Sequence, residues 1–155
     1  MDTTTQLGTN SADEQALRLV NPAELPMMWE YAEDLLLGGR EYWEEFYTLD
    51  HLKTALLAGH MQLWLVGEPY TPRLAILTEF FGYPLKRELN ILWIGGTGLK
   101  RGLIFLDSIE LWAVRQGATA SIVKGRQGWV RMLDEHGYSP CAVVLRKDLS
   151  DLKEH

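Results

Sequence analysis

The stretch from Leu89 to Gly117, LNILWIGGTGLKRGLIFLDSIELWAVRQG, limits the possible folds of this chain more than any other. Its first part, Asn90 to Ile94, is a short apolar run that predicts a buried strand. Glycines then follow in close succession, at Gly95, Gly96 and Gly98. Residues 99–116 carry apolar side chains at helical spacing, and Gly117 stands where a glycine commonly ends a helix. The stretch therefore predicts a strand, a tight turn and a long amphipathic helix in direct succession.

The glycine turn has the features of an anion-binding site. A turn that opens a helix gathers free backbone N–H groups at the positive end of the helix dipole, where a phosphate is stabilised. Lys100 and Arg101 stand in the first turn of the predicted helix, although cations there oppose the dipole. A bound phosphate would explain their position. The alternative is that both side chains are solvated or paired with acids.

Composition excludes several classes of protein. The 155 residues are 46% hydrophobic and 23% charged, which is typical of a globular domain. A formal charge of −6 argues against nucleic-acid binding across the whole surface. No apolar run is long enough to cross a membrane, and the first residues do not resemble a signal peptide, so we expect a cytoplasmic protein. The single Cys141 fits a reducing compartment, and the scattered histidines predict no metal site.

Two polar ends flank one predicted domain. Residues 1–14 predict a flexible arm, residues 149–155 a solvated tail, and residues 15–148 the domain between them. The domain begins with a strand at 15–20 and helices at 21–38 and 49–58. Short turns then favour antiparallel pairing of three strands, at 61–67, 73–81 and 89–94. After the long helix come a strand at 119–123, a short helix at 129–136 and a last strand at 138–145.

This order of elements resembles that of the GNAT (Gcn5-related N-acetyltransferase) fold over residues 15–148. The most specific pieces are the strand–GGTG–helix stretch and the segment KGRQGWVRMLDEHGY, from Lys124 to Tyr138. The resemblance implies a single-domain α/β (α+β) fold. Its centre would be a mixed, mostly antiparallel sheet of about six strands, flanked by about four helices.

More narrowly, the chain is similar to small GNAT-like proteins of tailed bacteriophages. The segments MQLWLV, TEFFGYP, IGGTG, IELWAVRQGA and GRQGWVRML carry that similarity. It implies a phage-encoded protein that works in the host cell cytoplasm or is associated with the virion.

In the wider GNAT family, the turn after the fourth strand cradles the pyrophosphate of acetyl-CoA. The resemblance carries this role over to the residues of the glycine turn, Gly95, Gly96, Thr97, Gly98, Leu99, Lys100 and Arg101. Three positions depart from the family pattern, and one of them is the asparagine often found after the fifth strand, which is replaced around Gly125 and Arg126. Trp93 stands where a glutamine or arginine is usual, and Leu133 stands where a tyrosine commonly donates a proton to the leaving thiolate.

Acyl transfer to an amine needs a base that takes the proton of the amine. Glu79 and Glu88 are the candidate bases, at the end of one predicted strand and beside the next. Apolar neighbours would raise the pKa of Glu79. The alternative is that both carboxylates lie on a solvated strand face.

Aromatic residues supply a candidate acceptor pocket. Tyr42, Trp43 and Tyr83 are its predicted members, and with the acids beside Trp43 they would suit a cationic amine. The alternative is that these rings pack into the protein, as aromatic residues beside turns often do.

Two functions stay open on these grounds. One is an acetyltransferase that acts on a small-molecule or peptide amine with acetyl-CoA. The other is a catalytically degenerate GNAT-fold protein that binds a phage or host protein, which the departures at Trp93 and Leu133 favour. A dinucleotide-binding fold is disfavoured because three antiparallel strands come first and no acid follows the strand that ends at Val123.

Overall fold

The computed structural model describes residues 17–97, 103–125 and 128–153 of the chain. Within these ranges the five strands are β1 (Arg18–Leu19), β2 (Met61–Glu68), β3 (Thr71–Gly82), β4 (Arg87–Gly96) and β5 (Ala120–Val123). The four α-helices there are α1 (Leu25–Gly38), α2 (Leu49–Leu57), α3 (Leu106–Arg115) and α4 (Gly128–Asp134), with 3-10 turns at Arg40–Tyr42 and Leu103–Phe105. The chain divides into two compact units, residues 1–124 and 125–155, and the sheet belongs to the first.

The sheet has the strand order β1-β2-β3-β4-β5. The first four strands pair antiparallel, and β5 pairs parallel to β4. Two hairpins explain the pairings of β2 with β3 and of β3 with β4, because only short turns join these strands. The mixed, mostly antiparallel sheet expected from the sequence is therefore confirmed.

One face of the sheet is covered by α1 and α2. The buried side chains of α1 recur every three or four positions, as at Met28, Ala32 and Leu36, so they form one apolar stripe. Trp43 closes this core after the helix: its ring is buried, and its Nε1–H donates to the carbonyl oxygen of Leu36 at 3.0 Å.

The opposite face holds a buried hydroxyl among aromatic rings. Thr78 accepts a hydrogen bond from Nε1 of Trp64 at 3.1 Å and donates one to Oε1 of Gln62 at 2.8 Å. The ring of Trp112 on α3 lies 5.0 Å from that of Trp64 and 5.3 Å from that of Phe80. These ring contacts bring α3 against this face.

The predicted last strand is wrong. Residues 138–145 form no regular structure, so the described residues contain five strands rather than about six. Val143, Val144 and Leu145 are 86%, 74% and 89% exposed. A β-branched run becomes a strand only where a neighbouring strand pairs with it, and this segment has no ladder partner among the described residues. Pro140 also removes one backbone donor that a ladder would need.

The long helix after the glycine turn is shorter than expected. A 3-10 turn at Leu103–Phe105 leads into α3, which spans Leu106–Arg115 rather than 99–116. The first residues of the predicted helix, 99–102, lie outside the described residues. Its end is as predicted: Gly117 has φ of 93°, a conformation that glycine adopts without strain.

The buried hydroxyl of Thr78 provides a test of this packing. We expect Thr78→Val to lower the free energy of unfolding by about 1–3 kcal/mol, because it leaves the indole N–H of Trp64 buried without an acceptor. Thr78→Ser keeps the hydroxyl and should lose about 0.8 kcal/mol, the contribution of one buried methyl group. Urea unfolding measures both values. A valine variant as stable as wild type would contradict this account.

Candidate functional site

Two carboxylates and an amide share one face of the sheet where β3 ends and β4 begins. Glu79 lies directly opposite Asn90 across the antiparallel ladder, and Phe81 lies opposite Glu88. Directly opposed residues point to the same side of a sheet, and residues two apart in a strand do so as well. Glu79, Phe81, Glu88 and Asn90 therefore form one surface, which we call the acidic strand face.

Glu79 occupies the more sheltered part of the acidic strand face. It is half-buried, and burial raises the pKa of its carboxyl above the usual value. A hydrogen bond donated by Asn90 and the positive charge of Lys124 both lower that pKa, but burial is the larger effect. Burial, and to a smaller extent the nearby charge of Glu79, raises the pKa of the Tyr47 phenol. Glu79 is thus a carboxyl that binds its proton more tightly than one in water.

Glu88 has a different environment on the same face. Its Oε2 lies 3.9 Å from Nζ of Lys86, at the outer limit of an ion pair, and its side chain is 17% exposed. On the ladder it is the diagonal neighbour of Glu79, which places the two Cα atoms roughly 7–8 Å apart. The structure thus brings both predicted bases to one surface, although their role as bases stays a prediction.

Asn90 is a functional candidate that the sequence did not reveal. The residue is 3% exposed, and its Oδ1 has no hydrogen-bond partner among the described residues. Buried polar atoms are nearly always paired, so an unpaired one requires an explanation. The only sequence signal was a polar residue inside the apolar run NILWI, and the register that sets it against Glu79 appears only in the fold.

The three predicted pocket aromatics have different surroundings. Trp43 is a core residue, 6% exposed, with its indole N–H already bonded to Leu36. Tyr42 and Tyr83 are 46% and 53% exposed, in the 3-10 turn and in the β3–β4 turn respectively. The packing alternative therefore describes Trp43, while the acceptor role of the two tyrosines stays a prediction.

The described part of the glycine turn is shaped by strand packing. A Cβ on Gly96, which has φ of 124°, would strike the carbonyl oxygen of Arg73, and one on Gly95 would strike the ring of Trp93. The N–H of Thr97 donates to the same carbonyl of Arg73 at 2.8 Å. That N–H is therefore already bonded, contrary to the expectation of a free donor. The other predicted cofactor residues, Gly98, Leu99, Lys100 and Arg101, lie outside the described residues.

β4 and β5 separate beside the acidic strand face. Their parallel ladder ends at the pair Ile91–Val123, whereas β4 continues to Gly96. A β-bulge lies at the same place, since Thr78 pairs with Ile91 and Leu77 with Trp93, which leaves Leu92 extra. From Leu92 to Gly96, a run of about 16 Å at 3.3 Å per residue, the β5 side of β4 has no ladder partner in the described parts of the chain. An extended ligand with amide groups can pair with such an edge.

The second unit contains Leu133, the residue that the resemblance to the GNAT family aligns with a proton-donating tyrosine. Leu133 is buried in α4, and its carbonyl accepts the N–H of Tyr138 at 3.2 Å. An aliphatic side chain there cannot donate a proton to a leaving group. The indole of Trp129 packs so closely on Gly125 that any Cβ at that glycine would strike it.

Among the described residues, no group of three or more His, Cys, Asp or Glu side chains is arranged to hold a metal ion. Likewise, none of the described helices is both long enough and apolar enough to span a bilayer.

Solved structures identify the fold. The chain is similar to a predicted acetyltransferase with acetyl-CoA from Clostridium acetobutylicum (TM-score 0.63, 11% identity, 89% of this chain and 98% of that chain). It is also similar to a GCN5-related N-acetyltransferase from Ralstonia eutropha JMP134 (TM-score 0.64, 15% identity, 86% and 98%). A third is an aminoglycoside acetyltransferase from an uncultured soil metagenomic sample in complex with sisomicin (TM-score 0.64, 11% identity, 86% and 95%). No family model and no curated protein matches the sequence. The chain therefore has the GNAT fold, as its sequence predicted; identities this low establish the fold alone.

The raised pKa of Glu79 leads to a prediction about stability. Because the folded protein binds this proton more tightly than the unfolded chain does, stability falls as the pH rises between the two pKa values. Glu79→Gln removes this loss and keeps an oxygen that accepts from Asn90. We expect its melting temperature to exceed that of wild type at pH 7.5, and the gain to shrink as the pH falls below the usual carboxyl range. Differential scanning calorimetry across pH measures this.

The control for that experiment is Glu41→Gln, which makes the same change of charge at an exposed position. If Glu79→Gln is no more stable at pH 7.5 than Glu41→Gln, the ionised carboxylate of Glu79 does not destabilise the folded protein.

Proposed function

We propose that this chain is an N-acetyltransferase that transfers the acetyl group of acetyl-CoA to an amine by direct attack. The observation that carries the proposal is Glu79: a half-buried carboxyl with a raised pKa, next to the point where β4 leaves β5. A base must be ionised at the working pH and still hold a proton well, and a raised carboxyl pKa meets both needs.

The residues present fit acetyl-CoA as the donor. The free β5 side of β4, from Leu92 to Gly96, offers backbone groups to an extended arm with amides. The glycine turn that follows, with Lys100 and Arg101, would hold the pyrophosphate. When bound, the coenzyme supplies an acetyl group that its thioester already activates.

Each side chain then has a definite task. The ionised carboxylate of Glu79 takes one proton from the ammonium group of the acceptor, so that the nitrogen lone pair is free to attack. Backbone N–H groups on the free side of β4 stabilise the charge that develops on the carbonyl oxygen. The second proton of the amine nitrogen would pass through water to the leaving sulfur, since Leu133 stands where the resemblance would place a proton donor. The products are an amide, a thiol and a protonated Glu79, which returns its proton to solvent.

The acceptor class follows from charge. Glu79 and Glu88 face the same surface, and the chain has a formal charge of −6, so a cationic amine is favoured over an anionic one. The structural relative in complex with sisomicin supports a small-molecule amine. A peptide amine is the other form that the acceptor could take.

Turnover and pH dependence test this function. With acetyl-CoA and a panel of amines that includes aminoglycosides, polyamines and lysine peptides, we expect one acetylated product by mass spectrometry. Its rate should fall as the pH drops through the raised pKa of Glu79, because only the ionised carboxylate is a base. Glu79→Gln should lower kcat by about 10²–10⁴-fold while the calorimetric affinity for acetyl-CoA stays unchanged. Full activity of this variant would exclude Glu79 as the base.

The glycine turn is tested by binding. Gly98→Val should abolish acetyl-CoA binding in calorimetric titration, because a branched Cβ crowds a backbone that must approach phosphates closely. Gly82→Val is the matched control, since a Cβ there meets nothing within 4 Å. If Gly98→Val retains its affinity, the pyrophosphate binds elsewhere.

A second function is favoured by one specific observation, the buried leucine at position 133. The chain would then be a GNAT-fold phage protein without catalysis, which binds a phage or host protein or is associated with the virion. Calorimetry separates the two, because this function predicts no heat with millimolar acetyl-CoA. It also predicts stoichiometric amounts of the chain in purified phage particles.

A further inference from the structure

Asn90 holds Glu79 through one end of its amide only. The two residues face each other across the β3–β4 ladder, and the amide donates to the carboxylate. The donor must be Nδ2, because Oδ1 cannot donate. At the other end, Oδ1 is buried and has no hydrogen-bond partner among the described residues.

This arrangement leaves the amide able to turn. The last torsion of an asparagine side chain is broad and nearly two-fold, so a half-turn exchanges Oδ1 and Nδ2 without moving the backbone. An amide bonded at both ends would lose two hydrogen bonds on turning. Asn90 loses none at Oδ1, and the residue across the ladder is a group that gains an O–H donor, beside its remaining acceptor oxygen, when it gains a proton.

We propose that Asn90 is a positioning residue that serves both protonation states of Glu79 by turning its amide; its catalytic meaning rests on the proposed function. With Glu79 ionised, Nδ2–H donates to the carboxylate. When Glu79 takes a proton from the amine, one N–H bond breaks and one O–H bond forms. The new hydroxyl of Glu79 then donates to Oδ1 of the turned amide. The base is thus held in one place before and after proton transfer.

The other charged groups around Glu79 do not replace this role. Lys124, after β5, lowers the pKa of Glu79 through its charge. The phenol of Tyr47, before α2, has a raised pKa and is neutral where a carboxyl titrates. Glu88 shares the strand face, with Lys86 as its ion-pair partner. Of these groups, Asn90 is the one whose hydrogen bond with Glu79 can reverse direction.

NMR tests the proposal without any need for turnover. Protein labelled with ¹³C-glutamate and ¹⁵N-asparagine is titrated, with Glu79→Gln and Asn90→Leu assigning the two signals. In wild type, one side-chain N–H of Asn90 should be shifted downfield while Glu79 is ionised. It should return toward the free-amide position with the same midpoint as Glu79. An N–H that stays downfield below that midpoint would mean that the amide does not turn, which would overturn the proposal.

Variants supply the second arm. Asn90→Leu removes the donor to the carboxylate, so the pKa of Glu79 should rise, because the bond to the charged form is the stronger one. Each unit of rise leaves about tenfold less ionised base at a pH below both values, so the acid limb of the pH–rate profile should move by the same amount. Asn90→Thr has a hydroxyl that donates and accepts, and should give an intermediate pKa.

Gln62→Leu is the matched control, since it removes an amide from the same sheet at a residue bonded to Thr78 rather than to Glu79. It should leave the pKa of Glu79 unchanged. An unchanged pKa in Asn90→Leu would overturn the proposal. If wild type transfers no acetyl group but the NMR titration behaves as expected, the proposed function alone is refuted.

Discussion

The pairing of β3 with β4 determines most of what this molecule can do. Nine register pairs run from Leu74–Gly96 to Gly82–Arg87, with a single irregularity at the bulged Leu92. On one side of the bulge, the ladder sets Glu79 against Asn90; on the other, β4 continues without β5 beside it. The bulged register thus sets the carboxyl–amide pair, and the end of β5 at Val123 leaves the open strand edge beside it.

The same pairing lowers the free energy of unfolding, and apolar packing elsewhere must offset this loss of stability. Glu79 is held partly out of water, which disfavours its charged form, and Asn90 leaves one buried oxygen unpaired. The rest of this sheet face is covered by the apolar stripes of α1 and α2 and by the buried rings of Trp43 and Trp93. Sites that hold such unfavourable groups are commonly functional, because catalytic groups need pKa values that burial and nearby charges shift. The cost is therefore itself an argument that this face has a task.

Several features followed from the sequence because they depend on local patterns. The two hairpins were predictable from short turns between apolar runs, and the end of α3 from Gly117. The last strand was not, because the β propensity of Val143 and Val144 decides nothing until a partner strand is present. The role of Trp43 was ambiguous for a similar reason, because the sequence around an aromatic residue beside a turn is the same whether the ring lines a pocket or packs in the core. Asn90 depends on a register across the sheet, which no local pattern contains.

If the chain is the proposed acetyltransferase, the leucine at position 133 weakens catalysis less than a missing base would. An amine like that of lysine has a pKa of about 10.4, so at pH 7 roughly one molecule in 2,500 is already unprotonated. A thiol like that of cysteine has a pKa of about 8.5, which is only about 1.5 units above pH 7. Its thiolate is therefore a weak enough base to leave without a donor side chain and to be protonated through water. By this measure, removal of the ammonium proton is harder than protonation of the leaving group by about two orders of magnitude. Under the proposed function, a chain that retained only one of the two groups would therefore keep the base, which is the role proposed for Glu79.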